Sequence, residues 1–273
     1  MSIQNAKRIV VKIGTSTLTY STGRLHIRRI EQIVRVLSDL KNSGKEIILV
    51  TSGAIGVGTA RLKLPERPKE TRMKQAAAAI GQVELMYLYD KLFMSYGHTV
   101  AQILMTRVIT DRDNTRANLV NTFDSLLELG VIPIVNENDS VAVEEIEHDD
   151  IAFGGNDTLS AIVATLVGAD ALVLVSDIQG LYDRDPREDP NARLIPVVSD
   201  IDEHILSLAG GAGSPLGSGG MITKLEAARM VTEAGVDMAI LDGSQPEKLY
   251  DLFAGKPAGT YFPAKHTQGR QTV

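Results

Sequence analysis

The chain has 273 residues, 44% of them apolar, with 28 Lys plus Arg against 34 Asp plus Glu and a formal charge of −6. That size allows a well-buried core, whereas scattered basic residues and 4% aromatic content exclude a nucleic-acid partner, and the absence of cysteine excludes disulfides and thiolate chemistry. No run reaches the roughly 18 apolar residues of a membrane span, so no membrane partner and a cytoplasmic location are expected.

Arg8 to Ile13 is a β-branched run closed by Gly14 and reads as a buried strand. Leu25 to Lys41 places Ile30, Ile33, Val34, Leu37 and Leu40 at helical spacing, Gly44 ends it, and Glu46 to Thr51 returns as a second strand. Two strands joined by a long helix make a βαβ unit with parallel strands and a right-handed crossover.

The pattern repeats. Lys74 to Ser95 is a long helical stretch with a weak point at Gly81, followed by a strand over His98 to Leu104. Asp111 to Leu129 is helical, and Val131 to Val135 is a strand that runs into polar Asn136, Glu137, Asn138 and Asp139. A helix over Asn156 to Val167 precedes the fully apolar strand Ala171 to Val175, both faces of which must be covered. Tyr182 to Asp200, with Pro186, Pro190 and Pro196, reads as an exposed excursion, a hairpin or a lid. A helix from Thr223 and a strand over Asp237 to Leu241 close the main domain, and Lys265 to Val273 form a loose polar tail. Alternation of this kind predicts a three-layer α/β/α sandwich around a largely parallel sheet.

In such a sheet, ligands bind at the carboxyl ends of the strands. The residues there are Lys12 and Gly14, then Ser52 and Gly53, then Asn136 to Asp139, then Ser176 and Asp177. Lys12 spends a strand-interior position on a charge, so it either reaches water along its stem or meets something anionic. Ser52 and Gly53 fit a capped turn or an anion grip, and Asn136 to Asp139 an Asx-rich turn or a contact for a substrate carrying both charge signs. Asp157, after Asn156, caps a helix or orients two lysines.

Gly217, Gly219 and Gly220 precede Lys224 at the start of a helix. Glycines let the backbone come close to a ligand, the helix aims unpaired N–H groups at it, and the lysine adds a mobile charge, which together suit phosphate. A flexible loop with a surface lysine is the other reading. The Walker G-x-x-x-x-G-K-[ST], the kinase H-R-D and the G-x-S-x-G elbow are all missing. Gly53, Gly56 and Gly58 run G-x-x-G-x-G, the reverse of the dinucleotide fingerprint. The five histidines lie far apart, so any metal is expected to be Mg²⁺ brought by the substrate. Phosphoryl transfer by lysines and backbone amides survives these exclusions.

Six segments in order, V-V-K-I-G-T-S, V-T-S-G-A-I-G-V-G, I-V-N-E-N-D-S-V, F-G-G-N-D-T-L-S-A, S-D-I-Q-G-L-Y and G-S-G-G-M-I-T-K, span residues 10 to 224. In these the chain resembles the amino acid kinase family, in the branch that phosphorylates the side-chain carboxylate of L-glutamate for proline biosynthesis. The resemblance implies ATP and Mg²⁺ as cofactors, Lys12 and Lys224 at the transferring phosphoryl group, and Asp157 holding them. It implies glutamate contacts at Ser52, Gly53, Asn136, Asp139 and Asn156. ATP contacts are implied at Lys12, Gly14, Ser176, Asp177, Ser218, Gly219, Gly220, Met221, Ile222, Thr223 and Lys224.

Two positions depart from the family pattern: Gly155 stands where an aspartate is usual, and Ile222 where a serine often stands. The resemblance also implies feedback inhibition by proline and a homo-oligomer, a dimer or tetramer. Many bacterial relatives carry an RNA-modification-type (PUA) domain; the expectation here is a kinase domain over residues 1–264, the tail, and no PUA domain.

Overall fold

A computed structural model of the chain describes residues 3–106, 113–141, 155–209 and 220–265. Seven strands form one sheet in the order β3-β4-β2-β1-β5-β6-β7, namely β1 Arg8–Ile13, β2 Glu46–Val50, β3 Val100–Met105, β4 Ile132–Glu137, β5 Ala171–Ser176, β6 Asp237–Asp242 and β7 Thr260–Phe262. Every pairing is parallel except β6 with β7. The expected α/β sandwich is therefore present, with an antiparallel edge strand added.

The two faces separate by the strand period of two. Ile9, Val11 and Ile13 of β1 share one core with Ile47, Leu49, Ile134, Val173 and Val175. Val10 faces the other way, with Ile48, Val50, Val135, Leu172 and Leu174. Lys12 follows Val10 on that second face. Because both faces are covered, the strands read as continuous apolar runs.

The helices are α1 Thr15–Leu18, α2 Ile27–Asn42, α3 Ala54–Arg61, α4 Thr71–Met94, α5 Asp113–Glu128, α6 Asn156–Leu166, α7 Glu203–Leu208, α8 Met221–Glu233 and α9 Lys248–Phe253. The first core takes α2, α3, α4 and α9, and the second takes α5, α6 and α8. After β1 the chain leaves toward the first core and after β5 toward the second, so a crevice opens at the carboxyl ends of β1 and β5.

Several expectations are corrected. β4 runs two residues further than predicted, because Asn136 and Glu137 still find backbone partners in Leu104 and Met105 of the edge strand β3. Helix α8 starts at Met221, two residues early, which places Met221 and Ile222 in its first turn. The short α1, α7 and α9 and the strand β7 were not anticipated, since each is too brief to show a period.

Residues after β2 fold as helix α3, and of the reversed glycine fingerprint Gly58 serves packing against α4. A Cβ on Gly58 would lie 1.8 Å from the Ala77 carbonyl oxygen, and one on Gly81 would lie 1.8 Å from that of Ala54. Only paired glycines allow α3 and α4 this close, which explains the apparent weak point in α4. The excursion from Tyr182 is a hairpin-like turn, bridged antiparallel from Tyr182 to Leu194. Its base is tied to β7, where Thr260 Oγ1 accepts from Leu181 N–H and donates to the Ile195 carbonyl.

Candidate active site

Three charges meet beside the crevice. Lys12 on β1, Asp157 on the first turn of α6 and Lys224 on the first turn of α8 are 9%, 2% and 6% exposed. Lys12 Nζ lies 2.6 Å from Asp157 Oδ1, and Lys224 Nζ lies 3.1 Å from Asp157 Oδ2. Burial works to raise the Asp157 pKa, but the two ammonium groups and their hydrogen bonds overcome it and hold the carboxyl at about 2. The carboxylate is ionised at neutral pH and draws both lysine ammonium groups to one point. Two cationic side chains held together suit an anionic ligand.

The backbone adds to this field. Helices α1, α3, α6 and α8 begin at Gly14, Gly53, Gly155 and Gly220, and none of these four has a side-chain cap. Helix α2 is instead capped by the His26 side chain and α7 by that of Asp202, while α4 and α9 also start without a side-chain cap. Uncapped first-turn N–H groups and the positive ends of helix dipoles suit phosphate and carboxylate oxygens. Gly155 adopts φ 71°, ψ −165°, a conformation almost confined to glycine. An aspartate at this position would be strained, so the departure from the family pattern coincides with a special backbone.

A cleft of about 510 Å³ opens over these elements. It is lined by Lys12, Gly14, Ser52, Asn156, Ser176, Asp177, Gly220, Met221 and Lys224, all named from the sequence. Thr223 is not in the lining but supports it, because its Oγ1 lies 3.0 Å from Asp157 Oδ2. Ser52 Oγ donates to the Ile13 carbonyl at 2.9 Å and accepts from Thr15 Oγ1 at 3.2 Å, which ties β2 to the start of α1. Gly53 has φ 91° and packs against Thr15.

Other expected residues sit elsewhere. Ile222 is 47% exposed and is not part of the cleft wall, as its place in the first turn of α8 turns it outward. Asn136 and Asp139 lie outside the cleft wall, at the end of β4 and just beyond it. Asn136 is buried and its Nδ2 donates to Gln82 Oε1 at 2.7 Å. Burial raises the Asp139 pKa to about 6 against the opposing charge of Arg67. Ser218 and Gly219 lie outside the described residues.

The sequence reading missed one wall of the cleft. Gln179, Tyr182, Arg184 and Arg187 line it from the excursion, and Asp242 from the end of β6. Asp242 was detectable, since it follows an apolar strand like the residues that were named. The excursion gave no periodic signal; its charges pair among themselves, Arg184 with Asp189 at 2.9 Å and Arg187 with Asp185 at 2.7 Å. Among the described residues, no group of three or more His, Cys, Asp or Glu side chains is arranged to hold a metal, and no helix is long and apolar enough to cross a membrane.

Residues 7–242 match the model of the amino acid kinase family. A glutamate 5-kinase of Clostridium perfringens is 51% identical over 264 residues, covering 97% of this chain and 98% of that protein. A glutamate 5-kinase of Listeria innocua is 51% identical, covering 97% and 95%. Among solved structures, a carbamate kinase from Giardia lamblia bound to AMP-PNP superposes with a TM-score of 0.67 at 14% identity, over 96% of this chain and all of that one; at this identity the likeness concerns the fold.

Proposed function

We propose, for a chain that belongs to the amino acid kinase family and within it to the glutamate 5-kinases, that Lys12, Asp157 and Lys224 carry out phosphoryl transfer between ATP and L-glutamate. The reaction is ATP-dependent phosphorylation of the side-chain carboxylate, giving L-glutamyl 5-phosphate and ADP, the first step of proline biosynthesis. The observation that supports the site assignment is the buried Lys12–Asp157–Lys224 cluster, whose two lysines line the cleft together with the glycine starts of α1 and α8.

A carboxylate and a triphosphate repel each other, so their approach requires cations and N–H donors. One carboxylate oxygen of glutamate attacks the γ-phosphorus, the new O–P bond forms, and the bond from that phosphorus to the β,γ-bridging oxygen breaks in line. The electron pair leaves with ADP. Glutamate is already ionised at neutral pH, so no protein group has to remove a proton. Lys12 and Lys224 neutralise charge on the transferring oxygens, and Asp157 fixes both ammonium groups before the substrates arrive. Ser176, Asp177 and the start of α8 hold the nucleotide, with Ser218 to Thr223. Ser52, Gly53, Asn136, Asp139 and Asn156 hold glutamate. Mg²⁺ enters on the phosphates of ATP and supplies further charge neutralisation.

The working unit is a kinase domain over residues 1–264 in the cytoplasm. Proline, a zwitterion like glutamate, acts as feedback inhibitor at the acceptor side. A homo-oligomer is supported by α4, on which Ile80, Val83, Tyr87 and Met94 are exposed and fall within an arc of about 60° at 100° per residue. Light scattering with and without a Val83→Lys, Tyr87→Lys change tests it.

The reaction is tested by coupled ADP release from Mg-ATP with L-glutamate, L-aspartate, N-acetylglutamate, carbamate and UMP, with hydroxylamine present to trap an acyl phosphate. Turnover and hydroxamate with L-glutamate are expected. Turnover only with another acceptor overturns the substrate assignment, and silence with all of them overturns the activity.

A further inference from the structure

Gln82 sits in the middle of α4, 8% exposed, with a polar amide where an apolar side chain would ordinarily pack. Its Oε1 accepts from Asn136 Nδ2 at 2.7 Å, but its Nε2 is a buried donor with no partner among the described residues. A donor left unmet inside a protein is unfavourable and points to an acceptor that arrives from outside.

The neighbourhood defines where that acceptor would sit. Gly81, the preceding residue, packs on the Ala54 carbonyl in the first turn of α3, so Gln82 lies beside the uncapped start of that helix. Asn136 follows Val135, whose carbonyl accepts from Thr51 N–H, and Ser52 of the cleft wall follows Thr51. Asn136 thus stands at the strand end next to that of Ser52, on the far side of it from the nucleotide wall, and Gln82 reaches it from helix α4.

We propose that Gln82 is a specificity-determining residue for the acceptor amino acid. Its Nε2 donates to the α-carboxylate. Its Oε1 turns the Asn136 amide so that Asn136 Oδ1, an acceptor, is presented to the α-ammonium. One donor and one acceptor, held by each other, distinguish a zwitterionic end from a simple carboxylic acid. This rests on the reading that L-glutamate is the acceptor.

The test uses the full chain and two variants, assayed with L-glutamate and with 4-aminobutyrate, which is glutamate without its α-carboxylate. Gln82→Met removes both hydrogen-bonding atoms. Gln82→Glu, nearly isosteric, keeps an acceptor for Asn136 and replaces the donor with a charge that repels the carboxylate, so it carries the test if the Met variant does not fold. In both, the KM for L-glutamate is expected to rise about 10- to 100-fold, the loss of one hydrogen bond to a charged group. The KM for ATP and kcat at saturating glutamate should stay near wild type, and the preference for glutamate over 4-aminobutyrate should fall by the same factor. An unchanged glutamate KM in Gln82→Glu, or equal damage to both substrates and to kcat, overturns the assignment. Failure of the wild type itself to use glutamate overturns the underlying reading instead.

Discussion

Lys12 Nζ stands 2.6 Å from Asp157 Oδ1, joining the central strand β1 to the first turn of α6 beneath the cleft. The partner is what makes a charged residue tolerable at an interior strand position, and the same carboxylate draws in Lys224 as well.

Replacing Asp157 by Asn should leave two buried ammonium groups with no carboxylate between them. We expect a loss of about 3–5 kcal/mol in urea unfolding, the usual result of removing one member of a buried ion pair. At saturating substrates kcat should drop by roughly 10²- to 10³-fold as the lysines lose their fixed positions. Urea titration and steady-state kinetics on one preparation check both parts.

Lys224→Ala should separate binding from chemistry. The glycine start of α8 and the rest of the cleft wall remain, so ATP should still bind, as measured by calorimetry, while turnover falls roughly 10²- to 10³-fold. Turnover near wild type would mean that Lys224 does not face the transferring group.

The pH behaviour of stability follows from Asp157. Its carboxyl lies at about 2 in the fold against an ordinary value of 3.8. A depressed value stabilises the fold above the unfolded pKa, and that stabilisation is lost as pH falls through the folded one. Stability should therefore decline between about pH 4 and pH 2, by on the order of 2 kcal/mol from this group, and Asp157→Asn should lack that part of the decline.

Asp139 gives the opposite sign in binding. Its carboxyl is raised to about 6 by burial, so it becomes neutral in mildly acidic solution and loses its attraction for an ammonium group. The KM for L-glutamate should rise as pH drops through 6, by about tenfold per unit further down. Asp139→Asn should show a high KM throughout and no such dependence.

Gly58→Ala should force α3 away from α4, because the added methyl meets a backbone carbonyl rather than a flexible side chain. A loss of about 1–3 kcal/mol is expected, read by thermal or urea unfolding.

The architecture was legible where the chain is long and periodic. The β-branched runs ending at Ile13, Val50 and Val175 and the apolar stripe of α2 gave the parallel layers. Lys12 stood out by breaking such a run. The short pieces were not legible, since α1 and β7 have four and three residues and show no period. Gly81 read as a weak point and Gly58 only as part of a reversed fingerprint, because a helix crossing leaves no local signature. Gln82 was overlooked for a similar reason: it is one polar residue on a mixed helix, and only its contact with Asn136, 54 positions away in the chain, gives it meaning.

The most direct measurement follows oxygen. L-glutamate labelled with ¹⁸O in both side-chain carboxylate oxygens is turned over with Mg-ATP, and hydroxylamine cleaves the acyl phosphate at carbon, so the released phosphate keeps the bridging oxygen. Attack by the carboxylate on the γ-phosphorus predicts one ¹⁸O atom in each phosphate, seen by mass spectrometry or ³¹P NMR. Phosphate released without label would contradict carboxylate attack and with it the role assigned to Lys12, Asp157 and Lys224.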